Sequence, residues 1–354
     1  MNRYQRQIII KDHGISGQDK LYKTNVLIIG CGGLGSPIAV YLAACGVGHI
    51  GIVDGDIVDL SNLHRQVWYK ETDVRNYKAE VLAGYIKQQN SDIEIDAYVT
   101  MLDPFNAEEI IKGYDIVVDG TDNFQTRYLI NDVCVHFGKP LVFGAIYQYE
   151  GQVSVFNTIL EDNTIGPNYR DLFPDHQNMA SVQNCNQSGV IGVLPGIIGT
   201  MQAMEVINLV IDGKSALEGK LLTVNAKNMD FHRIKLRKTY DNTRIDYQKT
   251  SYLIPACTVQ TINHETFQEW TDSRFEFQLI DVRTEEEYKS FNIKGKNIPL
   301  DQLLDHIDVL EKQTPILFVC QSGIRSQQAV EILTANSAFN WKNLYSLVGG
   351  LSDF

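Results

Sequence analysis

Val26-Leu27-Ile28-Ile29 runs directly into Gly30-Cys31-Gly32-Gly33-Leu34-Gly35-Ser36, and a helix is predicted to start near Pro37. Four aliphatic residues closed by a glycine read as a strand. A strand, a glycine-rich turn and a helix N-terminus bring backbone N–H groups and the positive helix end against a phosphate. Gly30, Gly32 and Gly35 fit G-x-G-x-x-G, and glycine permits both the tight turn and the close approach of a ligand. Taken alone, this fingerprint equally describes a dehydrogenase's dinucleotide site.

Working outward, short apolar runs alternate with longer helical stretches. The predicted strands are Val26–Ile29, His49–Asp54, Ile93–Val99, Ile116–Asp119, Pro140–Phe143 and Gln152–Phe156. Such alternation predicts an α/β, Rossmann-like domain with a mainly parallel sheet covered on both faces. Asp230 to Thr250 is rich in charge and Tyr with little apolar periodicity, and reads as the end of this domain plus a linker. A second α/β pattern restarts near Ile262, with strands at Phe277–Asp281, Ile316–Cys320 and Leu344–Val348 and a helix at Ser326–Thr334. The expected organisation is a first domain over 1–245, a linker over 246–265 and a small α/β domain over 266–354.

The 354 residues suffice for two cores. A net charge of -12 argues against non-specific nucleic-acid binding, which needs a basic face. The N-terminus lacks the pattern of a signal peptide, and no Cys-x-x-Cys pair occurs among the six cysteines. The expectation is a cytoplasmic protein with reduced thiols. The greasiest stretch, Val190 to Val210, is interrupted by Gly192, Pro195, Gly196 and Gly199 and carries Gln202 and Glu205, so it reads as a buried loop and helix and not a membrane span.

The residues after the glycine loop shift the choice of ligand. Asp54, at the end of the second strand, is placed to accept from a ribose hydroxyl. It is followed by Asp56-Ile57-Val58-Asp59-Leu60-Ser61-Asn62-Leu63-His64-Arg65-Gln66, then by Lys78 on the next helix. A nicotinamide site has no need of an Asn, an Arg and a Lys converging on phosphates. An adenylating site does, because negative charge gathers on the α-phosphate and the departing pyrophosphate. Val117-Val118-Asp119-Gly120-Thr121-Asp122-Asn123 puts Asp122 at a strand end, where it is a candidate to hold Mg²⁺ on the phosphates.

From Arg3 to about Leu236 the chain resembles the HesA/MoeB/ThiF family, relatives of ubiquitin-activating enzymes. The resemblance rests on RYQRQI at Arg3, GCGGLGSP at Gly30, VDGDIVDLSNLHRQ at Val53, DGTDNFQTRYLIND at Asp119 and GVIGVLPGIIGTMQAMEVINL at Gly189. It implies that ATP is bound by the Gly30, Gly32, Gly33 and Gly35 loop and by Asp54, with Asp56 and Asn123 alongside. It further implies that Asn62, Arg65 and Lys78 contact the triphosphate and that Asp122 serves Mg²⁺. Arg6 would enter the active site of a second subunit in a homodimer. The implied substrate is the Gly-Gly carboxylate of a ubiquitin-like sulfur carrier, as in molybdopterin or thiamine biosynthesis, and the product an acyl-adenylate. A carboxylate is already ionised, so positioning and charge neutralisation matter more than a general base.

Cys185, in Gln183-Asn184-Cys185-Asn186-Gln187, resembles a loop cysteine that in some members takes part in thioester or persulfide chemistry; its polar setting suits a reactive thiol. Members usually carry two Cys-x-x-Cys pairs for structural zinc. Their places here are Asn168–Asp171 and the stretch Asp241–Tyr247, neither of which holds a cysteine. No zinc is expected, and Cys257 is a lone thiol.

In the second domain Cys320 ends a predicted strand, and Gln321-Ser322-Gly323-Ile324-Arg325-Ser326 leads into a helix. A strand end, a short loop and a helix N-terminus make a cradle of N–H groups that favours a thiolate, and Arg325 adds a cation. Four residues separate Cys320 from Arg325, one fewer than in a tyrosine-phosphatase loop, which suits sulfur better than phosphate. The stretch resembles the rhodanese family, with Asp281-Val282-Arg283-Thr284-Glu285-Glu286-Glu287-Tyr288, Asn297-Ile298-Pro299-Leu300 and Gly349-Gly350-Leu351 as further marks. Phe291-Asn292-Ile293 stands where the family often has Gly-His-Ile. The resemblance implies a persulfide on Cys320, received from an upstream donor and passed to the activated carrier as a thiocarboxylate. Covalent fusion raises the effective concentration of that sulfur. The alternatives are a dinucleotide-binding oxidoreductase, a non-catalytic carrier-docking scaffold, and ubiquitin-like conjugation through a thioester at Cys185.

Overall fold

The computed structural model describes residues 3–174, 189–240, 242, 245, 247, 260–273, 275–304, 306–311, 314–335 and 343–352. The chain divides into two units, Met1–Tyr252 and Leu253–Phe354.

In the first unit α1 (Gln5–Ile8) and α2 (Gly14–Lys23) lead to β1 (Asn25–Ile29), α3 (Gly35–Cys45) and β2 (His49–Val53). Then come α4 (Lys78–Gln89), β3 (Glu94–Tyr98), α5 (Ala107–Ile111), β4 (Ile116–Asp119), α6 (Phe124–Phe137) and β5 (Leu141–Tyr147). β6 (Glu150–Phe156), α7 (Tyr169–Leu172), α8 (Val193–Asp212), β7 (Lys220–Asn225) and β8 (Asp230–Lys235) follow. The sheet order is β3-β2-β1-β4-β5-β6-β7-β8. β3, β2, β1, β4 and β5 are parallel, and β6, β7 and β8 extend the sheet antiparallel.

The unbroken apolar character of β1 follows from burial on both faces. Val26 and Ile28 face a core with Ile38 and Leu42 of α3, Leu82 and Ile86 of α4, and Leu194, Ile198 and Val206 of α8. Leu27 and Ile29 face the other core, with Ile111 of α5 and Leu129, Ile130 and Val133 of α6. By length and composition α8 is apolar enough to cross a membrane; here it is a core helix, and Gln202 on it donates to the Asp119 carbonyl at 2.7 Å. The chain reverses its winding between β1 and β4, so their C-terminal ends open a crevice where ligands bind in such sheets.

The glycine loop lies in that crevice. Gly30 has φ +90°, and a Cβ there would stand 2.8 Å from the Gly120 carbonyl oxygen. A Cβ on Gly35 would collide with the Gly30 carbonyl. Both glycines are therefore demanded by the fold itself.

Two stretches differ from the sequence reading. Asp230–Lys235, read as the end of the first domain with no strand of its own, is a strand; it is the sheet's exposed edge, so neither face is apolar and no alternation betrays it. Tyr247, inside the stretch assigned to the linker, is buried in the first unit's core and donates to Glu108 Oε2 at 2.6 Å.

The second unit begins its own sheet at β9 (Gln260–Ile262), also within the expected linker. It continues with α9 (His264–Asp272), β10 (Gln278–Asp281), α10 (Glu285–Ser290), β11 (Lys296–Asn297), β12 (Ile316–Val319), α11 (Ile324–Ala335) and β13 (Leu344–Leu347). The order is β11-β10-β12-β13-β9, all parallel. β12 is central, with Phe318 in one core and Leu317 and Val319 in the other.

The two kinds of glycine are separable by experiment. Gly35→Ala is expected to destabilise the first unit by more than about 3 kcal/mol through overpacking against backbone. A Cβ on Gly32 meets only Gln66 Nε2, at 3.6 Å, so Gly32→Ala should stay within about 1 kcal/mol of the parent while lowering nucleotide affinity. Thermal unfolding with and without ATP checks both.

Candidate active sites

The loop after β1 is built on hydrogen bonds to its neighbours. Asp54, at the end of β2, accepts the Cys31 N–H on Oδ2 at 2.7 Å and the Asp56 N–H on Oδ1 at 2.8 Å. Burial raises its carboxyl above the ordinary range, against the opposing pull of Lys78. Each oxygen keeps a further lone pair, so the structural duty is compatible with accepting from a ribose hydroxyl. Burial also pushes the Cys31 thiol up, with Asp54 adding to it, so Cys31 is a packed side chain beneath the loop and not a nucleophile.

The cations predicted for the phosphates are each held by one partner. Lys78, buried at the start of α4, donates to Asp56 Oδ2 at 2.9 Å, and that carboxylate is exposed. Arg65 donates from Nη2 to Asn62 Oδ1 at 2.5 Å. The turn carrying Asn62 is set by Asp59, whose Oδ1 accepts the Ser61 N–H at 2.7 Å.

Across the crevice, Asp119 ends β4 and is fully buried. Its Oδ1 accepts the Thr121 N–H and hydroxyl at 2.9 and 2.6 Å, and Arg127 Nε lies 3.6 Å from Oδ2. Arg127 Nη2 also donates to the Thr121 carbonyl at 2.7 Å. This pins the turn from which Asp122 projects, exposed and without a hydrogen bond or ion pair among the described residues. Asn123 Oδ1 caps α6 by accepting the Thr126 N–H at 2.9 Å. Arg6 is exposed on α1. Cys185 and Cys257 lie outside the described residues.

At Asn168–Asp171, where the resemblance leads one to expect a first cysteine pair, a polar clasp joins distant segments. Asn168 Nδ2 donates to Asn242 Oδ1 at 2.7 Å. Asp171 Oδ1 accepts the Thr239 and Tyr240 N–H groups at 2.5 and 2.6 Å, and its Oδ2 accepts the Asn168 N–H at 2.8 Å. Arg170 forks onto Asp132 at 2.7 and 2.6 Å in a buried pair, between the rings of Tyr128 and Tyr240.

In the second unit Cys320 follows β12 and is fully buried. Its Sγ accepts the Ser326 N–H at 3.4 Å, and Ser326 Oγ donates to the Gly323 carbonyl at 2.8 Å. A Cβ on Gly350 would collide with the Cys320 carbonyl, which accepts the Leu351 N–H at 2.8 Å. The DVRTEEE segment, which leaves the neighbouring strand β10, grips both ends of the loop. Buried Arg283 pairs with Asp281 at 2.7 Å and reaches Gln321 Oε1 at 3.3 Å. Glu287 takes Arg325 in a two-point fork, 2.7 Å on each arm.

The structure thus brings Gly30, Gly32, Gly33, Gly35 and Asp54 together at the β1 crevice, with Asp122 projecting from the adjoining end of β4. It ties Lys78 to Asp56 and Arg65 to Asn62, and joins Cys320 and Arg325 to one loop. Sequence reasoning assigned no role to Arg127, Asp171 or Glu287. Arg127 carried a signal as a cation one helical turn after Asn123, and Glu287 carried one as the last residue of a Thr-x-x-Glu capping box.

A doubly wound sheet with a phosphate-binding loop at its switch point, followed in the same chain by a cysteine loop on a second parallel sheet, defines an adenylyltransferase and sulfurtransferase. The chain belongs to the ThiF family, whose model matches residues 4–245, and residues 265–354 match the rhodanese-like domain. It is 37% identical to adenylyltransferase and sulfurtransferase MOCS3-1 of Zea mays, over 99% of this chain and 80% of that one. It is 38% identical to probable adenylyltransferase/sulfurtransferase MoeZ of Mycobacterium tuberculosis, over 99% and 91%. The crystal structure of E. coli MccB with ATP shares the fold, with a TM-score of 0.58 and 22% identity over 67% of this chain and 72% of that one. These matches set aside the oxidoreductase and scaffold readings.

Two outcomes follow from the geometry. Asp171→Ala removes a helix cap and two further acceptor contacts, and is expected to cost about 2 kcal/mol in thermal or denaturant unfolding. Hydrogen bonds from Arg325 hold the Glu287 carboxyl at about 2, below its ordinary 4.5. Its contribution to stability is complete above pH 4.5 and is lost as the pH falls towards 2. Glu287→Gln should therefore flatten the dependence of Tm on pH across that window.

Proposed function

We propose that the first unit adenylates the C-terminal Gly-Gly carboxylate of a ubiquitin-like sulfur carrier and that the second supplies the sulfur. The observation that carries this reading is the pairing, in one chain, of a phosphate loop flanked by Arg65, Lys78 and Asp122 with a cysteine loop ending in a cation. Carrier-type substrates fit both, because an acyl-adenylate is the activated form that a persulfide attacks.

In the first step a carboxylate oxygen attacks the α-phosphorus of ATP, the bond to the bridging oxygen breaks, and pyrophosphate leaves. Arg65 and Lys78 are tethered beside the loop, so they neutralise the developing charge with little reorganisation. Asp122 offers a hard, exposed carboxylate that fits Mg²⁺, which would neutralise phosphate charge when bound. In the second step the terminal sulfur of a Cys320 persulfide attacks the acyl carbon and AMP leaves with the bonding pair. This forms a carrier–Cys320 acyl disulfide. Cys185 thiolate then attacks the Cys320 sulfur, releasing the carrier thiocarboxylate and leaving a Cys185–Cys320 disulfide for a thiol reductant.

The same reading includes a cytoplasmic homodimer to which Arg6 contributes across the subunit boundary, and an upstream persulfide donor for Cys320. It assigns the polar clasp at Asn168–Asp171 the holding role that zinc has in relatives with paired cysteines, so a chelator should leave the Tm unchanged.

ATP–pyrophosphate exchange with candidate Gly-Gly carriers tests the scheme. Asp122→Ala should reduce exchange at least about a hundredfold, whereas Cys320→Ala should keep exchange and lose thiocarboxylate formation. Exchange indifferent to Asp122→Ala, or absent with every carrier, would sink the scheme.

A further inference from the structure

Arg325 is the cation that closes the Cys320 loop, but it is not a free charge. Its two terminal nitrogens each meet one oxygen of Glu287 at 2.7 Å, a fork matched in shape and charge. Glu287 is itself held in place. Its Oε2 also accepts the Thr284 N–H at 3.0 Å and the Thr284 hydroxyl at 3.1 Å, so the capping box of α10 sets the carboxylate before it reaches Arg325. The other arginine beside the loop, Arg283 on the segment that leaves β10, is neutralised by buried Asp281. Gln321, Ser322 and Gly323 are uncharged, and residues 253–354 carry eight Lys and Arg against fourteen Asp and Glu.

We propose that Glu287 determines which sulfur donor the Cys320 loop accepts: by occupying both outer nitrogens of Arg325 it denies that cation to small sulfur-bearing dianions, and the loop is left to persulfide sulfur borne on a thiol. The inference rests on sulfur transfer at Cys320 as proposed above. A free dianion such as thiosulfate approaches a net acidic unit and, among the described residues, finds no uncompensated cation on the loop, so its encounter and its binding are both disfavoured. A thiol-borne persulfide carries at most one negative charge, and the rest of its carrier supplies the binding contacts. The chemistry is the same in outline for both. Cys320 thiolate attacks the outer sulfur, a new S–S bond forms, and the donor's S–S bond breaks. The electron pair leaves on the donor thiolate in one case and on sulfite in the other.

The test uses the full chain with thiosulfate and cysteine persulfide as alternative donors, reading cyanide-dependent turnover and the added sulfur on the Cys320 peptide by mass spectrometry. Glu287→Gln keeps an acceptor for Thr284 but releases the guanidinium. It should raise kcat/KM for thiosulfate about tenfold or more, mainly through a lower KM that climbs again with salt. Pyrophosphate exchange, which belongs to the first unit, should be unchanged, and thiosulfate should gain relative to the persulfide. Glu287→Asp, which shortens the reach of the carboxylate while keeping the cap, should give a smaller gain. Adding Arg325→Gln to Glu287→Gln should erase the gain. Unchanged or poorer use of thiosulfate by both Glu287 variants, or a gain that survives loss of Arg325, would overturn the assignment. If neither donor loads Cys320 in the parent chain, the sulfur-transfer reading falls with it; if cysteine persulfide loads the parent and the Glu287 variants gain nothing, only the role of Glu287 falls.

Discussion

Gly30, Gly35 and Gly120 bring three backbones into contact at the C-terminal edge of the first sheet, and the nucleotide site depends on that contact. Gly30 N–H donates to the Val53 carbonyl and Gly120 N–H to the Ile29 carbonyl, each at 2.8 Å, so the parallel ladder is carried past the last residues of the strands. A Cβ on Gly120 would meet the Gly30 carbonyl at 2.9 Å and Gly35 Cα at 3.1 Å. The first turn of α3 is thereby pressed into the crevice, Cys31 N–H is aimed at Asp54, and the turn bearing Asp122 begins beside the loop. Side chains at any of the three positions would part the strands or displace the helix.

Around both loops, charge is arranged in tethered pairs. Lys78 rests on Asp56, Arg127 on Asp119, Arg283 on Asp281 and Arg325 on Glu287. Pairs of this kind add little net stability, because desolvation of the buried ones offsets their attraction and solvent screens the exposed ones. Their value is directional. Arg127 and Arg283 each spend further donors on loop backbone or loop side chain, which turns a buried charge into a fixed position for the neighbouring reactive residue. The clasp at Asn168–Asp171 works by the same means, joining residues 68 to 74 positions apart through side-chain and backbone hydrogen bonds.

Periodicity and local chemistry determined much by themselves. Aliphatic runs such as Val26–Ile29 and Ile116–Val118, bounded by glycine or polar residues, read as buried strands, and glycine spacing marks the phosphate loop, because these are properties of consecutive residues. The Cys320-to-Arg325 spacing and the run from Asp54 to Gln66 were legible for the same reason. What only the tertiary structure decided involves partners far apart in the chain or elements with no apolar face. β8 escaped notice because an exposed edge strand has no side to hide. The pairing of Glu287 with Arg325 spans 38 positions and that of Asp132 with Arg170 the same distance. A sequence records that a cation is present; whether it is free to meet a ligand or already held by a carboxylate depends on where the fold sets the two side chains.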